Sequence, residues 1–154
     1  MNEIHGKLKT WDEKMIHFAK KWAMPFSRFA IFLIYFWFGI LKVFALSPAS
    51  PLVVALLKAT MPGISPESFL VAFGLLEMVI GILFIIPHLE RLAIFVLALH
   101  LITTIMPLFL LPQFTWDGFL VPTLEGQYII KNILIIAIAI GILSHLHTLK
   151  HPEN

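Results

Sequence analysis

Four long apolar runs dominate this chain, and polar residues collect between them and ahead of the first. Residues 25–46, 67–87, 91–111 and 128–146 are each about twenty residues of mainly Leu, Ile, Phe, Val, Ala and Gly. At ~1.5 Å per residue, a helix of that length crosses a ~30 Å hydrocarbon core. Upstream, Ile4, Leu8, Trp11, Met15, Phe18 and Trp22 recur at spacings of four and three, which predicts an amphipathic helix over residues 1–24. Its other sides carry Lys7, Lys9, Asp12, Glu13, Lys14, Lys20 and Lys21. A basic helix with tryptophans on its apolar face suits the membrane surface. A partner-binding helix or coiled-coil seam is the alternative, although two indoles fit a wet interface better than a tight seam.

The breaks between runs are equally legible. Ser47-Pro48-Ala49-Ser50-Pro51 ends the first run, and Met61-Pro62-Gly63 closes a short apolar piece at 52–58. That piece is too short to span, so residues 47–66 predict one structured loop with a surface or re-entrant helix. His88-Leu89-Glu90-Arg91 forms a tight connection, Pro107 predicts a kink late in the third span, and Pro112 ends it. Residues 113–127 read as a loop and 148–154 as a polar tail. The expected fold is an all-α polytopic membrane protein: a four-transmembrane-helix bundle at 25–147, preceded by an N-terminal amphipathic interfacial helix.

Composition supports this reading and narrows the chemistry. Hydrophobic residues make up 59% of the 154, only 13% are charged, and the mean hydropathy is +0.91, well above a soluble domain. The net charge of +2 is too small for a nucleic-acid surface. The absence of cysteine removes disulfides, thiol nucleophiles and thiolate-held clusters from this chain. The N-terminus lacks the apolar core and small-residue cleavage site of a secretory signal, so it is expected to be retained. Lys7, Lys9, Lys14, Lys20, Lys21, Arg28, Arg91 and Lys150 fall on one side of the four spans, against Lys58 with Glu67, Asp117 and Glu125 on the other. Both termini are therefore expected to be cytoplasmic.

Polar residues inside the spans carry the functional argument. Counted along the spans, Glu77 and His100 fall near the midplane, while Lys42 and Lys131 lie ~6 Å from the outer end. Gly74, Glu77 and Gly81 share a helical face, as do His100, Thr103, Thr104 and Pro107, and Tyr35, Phe38, Gly39 and Lys42. Tyr128, Lys131 and Asn132 begin the fourth span on adjoining positions. If these faces converge, they line a polar pocket open to the outer side. Each residue has a plainer reading too. Lys42 and Lys131 are shallow enough to snorkel, Glu77 can serve as a structural ion pair, and His100 can be satisfied by a neighbour. Thr103 and Thr104 can bond back to their own helix. A metal site is not expected, since the C-terminal His145, His147 and His151 lack further ligands at defined spacing. Haem held by two histidines is disfavoured because only His100 lies deep in a span.

Several of these pieces resemble the DoxX-like membrane proteins: Trp37-Phe38-Gly39-Ile40-Leu41-Lys42, Leu75-Leu76-Glu77 with Gly81, His100 with Pro107-Leu108-Phe109, and Pro122-Thr123-Leu124-Glu125-Gly126-Gln127-Tyr128-Ile129-Ile130-Lys131-Asn132. The last is the most specific, and the similarity covers residues 25–146. The resemblance implies a four-helix bundle in the bacterial cytoplasmic membrane, with relatives among the subunits of thiosulfate:quinone oxidoreductases and in oxidative-stress defence. It supplies no settled catalytic set. On physical grounds, the expected acid and base groups are Glu77 and His100. Lys42, Lys131, Tyr35, Phe38, Tyr128 and Asn132 are expected to contact a quinone or anionic substrate. The expected partners are membrane lipid and soluble or membrane redox subunits, with the oligomeric state left open. A quinone-interacting redox subunit is the leading expectation; a small transporter subunit for an anion or proton and a non-catalytic assembly protein are the alternatives.

Overall fold

The computed structural model describes residues 2–146, with side chains from residue 11 onward. Its helices are α1 (Asn2–Val43), α2 (Ser50–Thr60), α3 (Pro66–Ile85), α4 (Glu90–Ile105), α5 (Pro107–Leu110), α6 (Pro112–Thr115), α7 (Leu124–Ile130) and α8 (Asn132–Ser144). Four stretches are long and apolar enough to cross a membrane: Trp11–Val43, Pro66–Ile85, Glu90–Leu110 and Leu124–Ser144. The chain is thus an all-α, multi-pass membrane protein. The tail at 148–154, with His147 before it, lies outside the described residues.

The four spans close into a ring. α1 packs along α3, α3 against α4, α4 against α8, and α8 returns to α1. Ile31, Ile80, Phe84, Leu97 and Ile142 fill its interior. Glycine brings α1 and α3 together. A Cβ on Gly39 would sit 2.5 Å from the Gly74 carbonyl oxygen, and one on Gly74 would sit 2.7 Å from that of Gly39. Without a hydrophobic drive between helices in lipid, such close backbone approach is a main source of association.

Several boundaries differ from those expected. Residues 1–24 and the first span are not separate helices: α1 runs unbroken through Pro25 and stops at Val43 rather than at residue 46. A proline removes one N–H without obliging the helix to end. The fourth span starts early, at Leu124, because Thr123 caps it: its hydroxyl accepts from the Gly126 amide at 3.1 Å and donates to the Phe114 carbonyl at 2.7 Å. The same span is interrupted at Lys131, where one residue separates α7 from α8. Similarly, Pro107 breaks the third span into α4 and α5.

The expected loop at 113–127 contains a small hairpin, β1 (Trp116–Gly118) against β2 (Val121–Pro122), antiparallel with Trp116 opposite Pro122. The Trp116 indole N–H donates to the Leu108 carbonyl at 3.0 Å and ties the hairpin to α5. Gly126 lies so close to the Thr115 carbonyl that no side chain fits there. At the opposite end of α3, Arg28 clamps the return to α4. Its guanidinium donates to the carbonyls of Phe84, Ile85 and Ile86 and, at 2.6 Å, to Glu90 Oε1. These are the last two carbonyls of α3 and that of its C-cap Ile86, which have no partner within the helix.

Candidate functional site: a buried line of ionisable groups

The glycine contact between α1 and α3 places Lys42 beside Glu77. The two helices run antiparallel, with Gly74 against Gly39 and Lys42 and Gly81 against Phe32 and Phe36, so Lys42 and Glu77, each nearly one turn past its glycine, reach toward the contact from opposite sides. The Lys42 ammonium donates to Glu77 Oε2 at 2.6 Å, and both residues are 6% exposed. Lys42 therefore does not snorkel. Its ammonium also stands 5.8 Å from the centre of the Phe73 ring.

On the other side of Glu77, α4 supplies His100, which is 5% exposed. His100 Nε2 lies 3.3 Å from Glu77 Oε1, within ion-pair reach, yet it makes no aligned hydrogen bond to any described group. The imidazole is held by aromatic neighbours: Phe73 stacks on it at 4.9 Å and Tyr35 meets it edge-on at 5.3 Å. Its Nδ1 lies 3.4 Å from both the Tyr35 hydroxyl and Thr104 Oγ1. Thr103 and Thr104 also donate back to the His100 carbonyl, at 2.7 and 3.0 Å.

The result is a line of neighbouring groups across three helices: Lys42 ammonium, Glu77 carboxyl, His100 imidazole, Tyr35 phenol. Each ionisable group has another as its neighbour, which is how charges survive in a water-poor interior. Two carboxyl oxygens divide the work, since Oε2 is held by the lysine and Oε1 faces the imidazole.

No family model, curated protein or solved structure matches the chain.

The remaining expected site residues lie apart from this line. Lys131 is exposed at the break between α7 and α8, and its ammonium sits 5.0 Å from the centre of the Tyr128 ring. Tyr128 itself is 62% exposed, Phe38 is exposed, and Asn132 is half-buried. The six residues expected around a quinone therefore form no single ring slot. Tyr35 and Lys42 join the buried line, and the other four do not. The reason is local. Gly126 and Ile129 turn their side of α7 inward against the hairpin and bundle, which leaves Tyr128 and Lys131 on the outer side.

Phe73 joins the site in addition to the expected residues. It lies four residues before Glu77 and one before Gly74, so the spacing that selected the glycine face also contained it. Among the described residues, no group of three or more His, Asp or Glu side chains is placed to hold a metal ion.

Proposed function

We propose that this chain is a DoxX-like subunit of a quinone-linked redox system in the bacterial cytoplasmic membrane, with both termini cytoplasmic. Its own part is to hold and pass protons at Glu77 and His100. The observation that carries the reading is the row of neighbouring ionisable groups from Lys42 to Tyr35 inside an apolar bundle, with His100 Nε2 3.3 Å from Glu77 Oε1. Ionisable residues facing a bundle interior cost several kcal/mol per ion to bury and mark proton or substrate paths.

The chemistry follows from which atoms face one another. Lys42 fixes Oε2 and leaves Oε1 as the oxygen that meets His100. A proton on Nε2 passes to Oε1 while Nδ1 takes the Tyr35 proton, and the phenol recovers in the same step a proton released by the redox reaction, so no buried phenolate is left and the imidazole works with both nitrogens. Quinone chemistry takes up or releases protons along with electrons, and a line of this kind serves that need. With Phe38, Tyr128, Lys131 and Asn132 outside the cluster, quinone contact belongs elsewhere on this chain or on a partner subunit.

The lack of one assembled ring slot favours a second reading, a small transporter subunit that binds a proton or an anion at the same line. Two measurements separate the readings. Solvent extracts of the purified protein are assayed for quinone, and native membranes carrying Glu77→Gln or His100→Gln are compared for quinone-dependent electron transfer. The redox reading predicts copurified quinone or a partner that holds it, together with loss of that activity. If both variants accumulate normally and every quinone-dependent activity persists, the redox reading fails. Proton or anion flux in sealed proteoliposomes, abolished by Glu77→Gln, establishes the transporter instead.

A further inference from the structure

α1 is twice as long as the membrane requires. Its 42 residues extend ~63 Å, against a hydrocarbon core of ~30 Å. The bundle first grips it at Met24, and residues 11–23 are exposed on every side. Pro25 stands at that boundary. It has no N–H for the Lys21 carbonyl, so the helix is weakest against bending where the bundle lets go.

The projecting arm is sided. Trp11, Met15, Phe18 and Trp22 form its apolar stripe, and Phe26 and Phe29 carry the stripe at the same helical spacing into the span, all six exposed. Beyond Pro25 that stripe faces lipid, because Met24 and Ile31 take the side that meets the core. A helix bent toward its own lipid-facing side turns that side down onto the bilayer. The continuity of the stripe therefore sets the direction of the bend, away from the bundle.

Charge identifies the surface beneath it. The first 28 residues hold six basic and three acidic side chains, while the chain as a whole is only +2. Along one edge of the stripe, an open groove is lined by Glu13, Lys14, His17, Phe18, Lys21 and Trp22. Lysines beside aromatic anchors match the depth order of a bilayer, with rings at the acyl boundary and ammonium groups among phosphates.

We infer that the arm folds over at Pro25 and seats on an anionic lipid surface, with Trp11, Met15, Phe18 and Trp22 at the acyl boundary and Lys14 and Lys21 on headgroup phosphates. This is independent of the redox reading, since it uses none of the buried groups. Lysines near an anionic surface each contribute enough that removing two shifts the balance between seated and lifted arm about thirty-fold.

The lack of cysteine allows a direct test, because a single nitroxide can be placed on Met15→Cys or Lys20→Cys. The full chain is reconstituted in vesicles containing phosphatidylglycerol, and each label is probed with oxygen, which partitions into lipid, and with a water-soluble nickel chelate. A seated arm gives a Met15→Cys label that oxygen reaches and the chelate does not, and a Lys20→Cys label that the chelate reaches. Adding Lys14→Gln and Lys21→Gln, or using wholly phosphatidylcholine vesicles, returns the Met15→Cys label to water. Chelate access to both labels in anionic vesicles overturns the proposal, and so does shielding of both labels from both reagents, the pattern of a protein partner or second copy. Unchanged burial in phosphatidylcholine overturns the anionic-lipid assignment.

Discussion

Lys42 Nζ and Glu77 Oε2 meet at 2.6 Å in the seam between α1 and α3, where neither side chain is more than 8% exposed. A pair this buried is asymmetric in its response to mutation. Lys42→Met or Glu77→Leu alone leaves an uncompensated group in the bundle and is expected to cost about 3–5 kcal/mol. The double variant removes both charges and should recover much of that loss. Unfolding of all four proteins in one detergent, read as a double-mutant cycle, tests this. Strictly additive losses would show that the two side chains do not interact.

Glycine substitutions on two helices should have opposite effects. Gly39→Ala pushes a methyl into the Gly74 carbonyl and the Met78 side chain, with the closest approach at 2.5 Å, and is expected to cost about 1–3 kcal/mol. It should also disturb the nearby Lys42–Glu77 bond. Gly141→Ala, on α8, meets no heavy atom within 4 Å and should gain about 0.5–1 kcal/mol from helix propensity. Comparing the two variants by thermal melting distinguishes packing at the α1–α3 seam from a general intolerance of added bulk.

The difference between those glycines also shows what the sequence made legible. Helical spacing put Gly74, Glu77 and Gly81 on one side of α3, and depth counting put Glu77 and His100 at similar levels. Both inferences use only the repeat of a helix and the thickness of a bilayer. Neither can say which way the helix faces at a break in its backbone. Lys131 is an example: α7 and α8 part there, and the Gly126–Thr115 contact turns the residue outward. The most specific motif in the chain therefore builds a helix start against the hairpin, through Thr123 and Gly126, and leaves Tyr128 and Lys131 exposed, apart from the buried line. The continuity of α1 was hidden for a related reason. Charge and apolar pattern change at Pro25, and composition alone cannot distinguish a change of environment from a break in a helix.

Arg28 is a topology signal in the sequence and a clamp in the fold. Its side chain donates to three carbonyls at the end of α3 and to Glu90 at the start of α4, and it remains 20% exposed. Arg28→Lys keeps the charge but loses the planar fork, so it is expected to cost about 1.5–3 kcal/mol, the worth of a hydrogen bond to a charged group. If only the charge mattered, the lysine variant would melt with the native protein. Arg28→Gln, which loses the charge as well, should be less stable than either.

The hydrogen bonds around His100 predict its tautomer. Thr104 commits its hydroxyl proton to the His100 carbonyl at 3.0 Å, so toward Nδ1 it offers only an acceptor oxygen. Among the described residues, Nδ1 at 3.4 Å is the acceptor that meets the Tyr35 hydroxyl. A proton on Nδ1 would satisfy Thr104 but strand the buried phenol, whereas a bare Nδ1 accepts from Tyr35 and leaves the ring proton on Nε2. There it faces Glu77 Oε1 at 3.3 Å, so a small rotation of either side chain makes the bond. The neutral ring is therefore expected to carry its proton on Nε2, readable from the nitrogen chemical shifts of selectively labelled His100. Tyr35→Phe removes the donor to Nδ1 and should admit the other tautomer, with Thr104 as acceptor, at a cost of about 1 kcal/mol for the lost hydrogen bond. An Nδ1–H ring in the unmodified protein would reverse this direction and break the proposed hand-over from Tyr35 through His100 to Glu77.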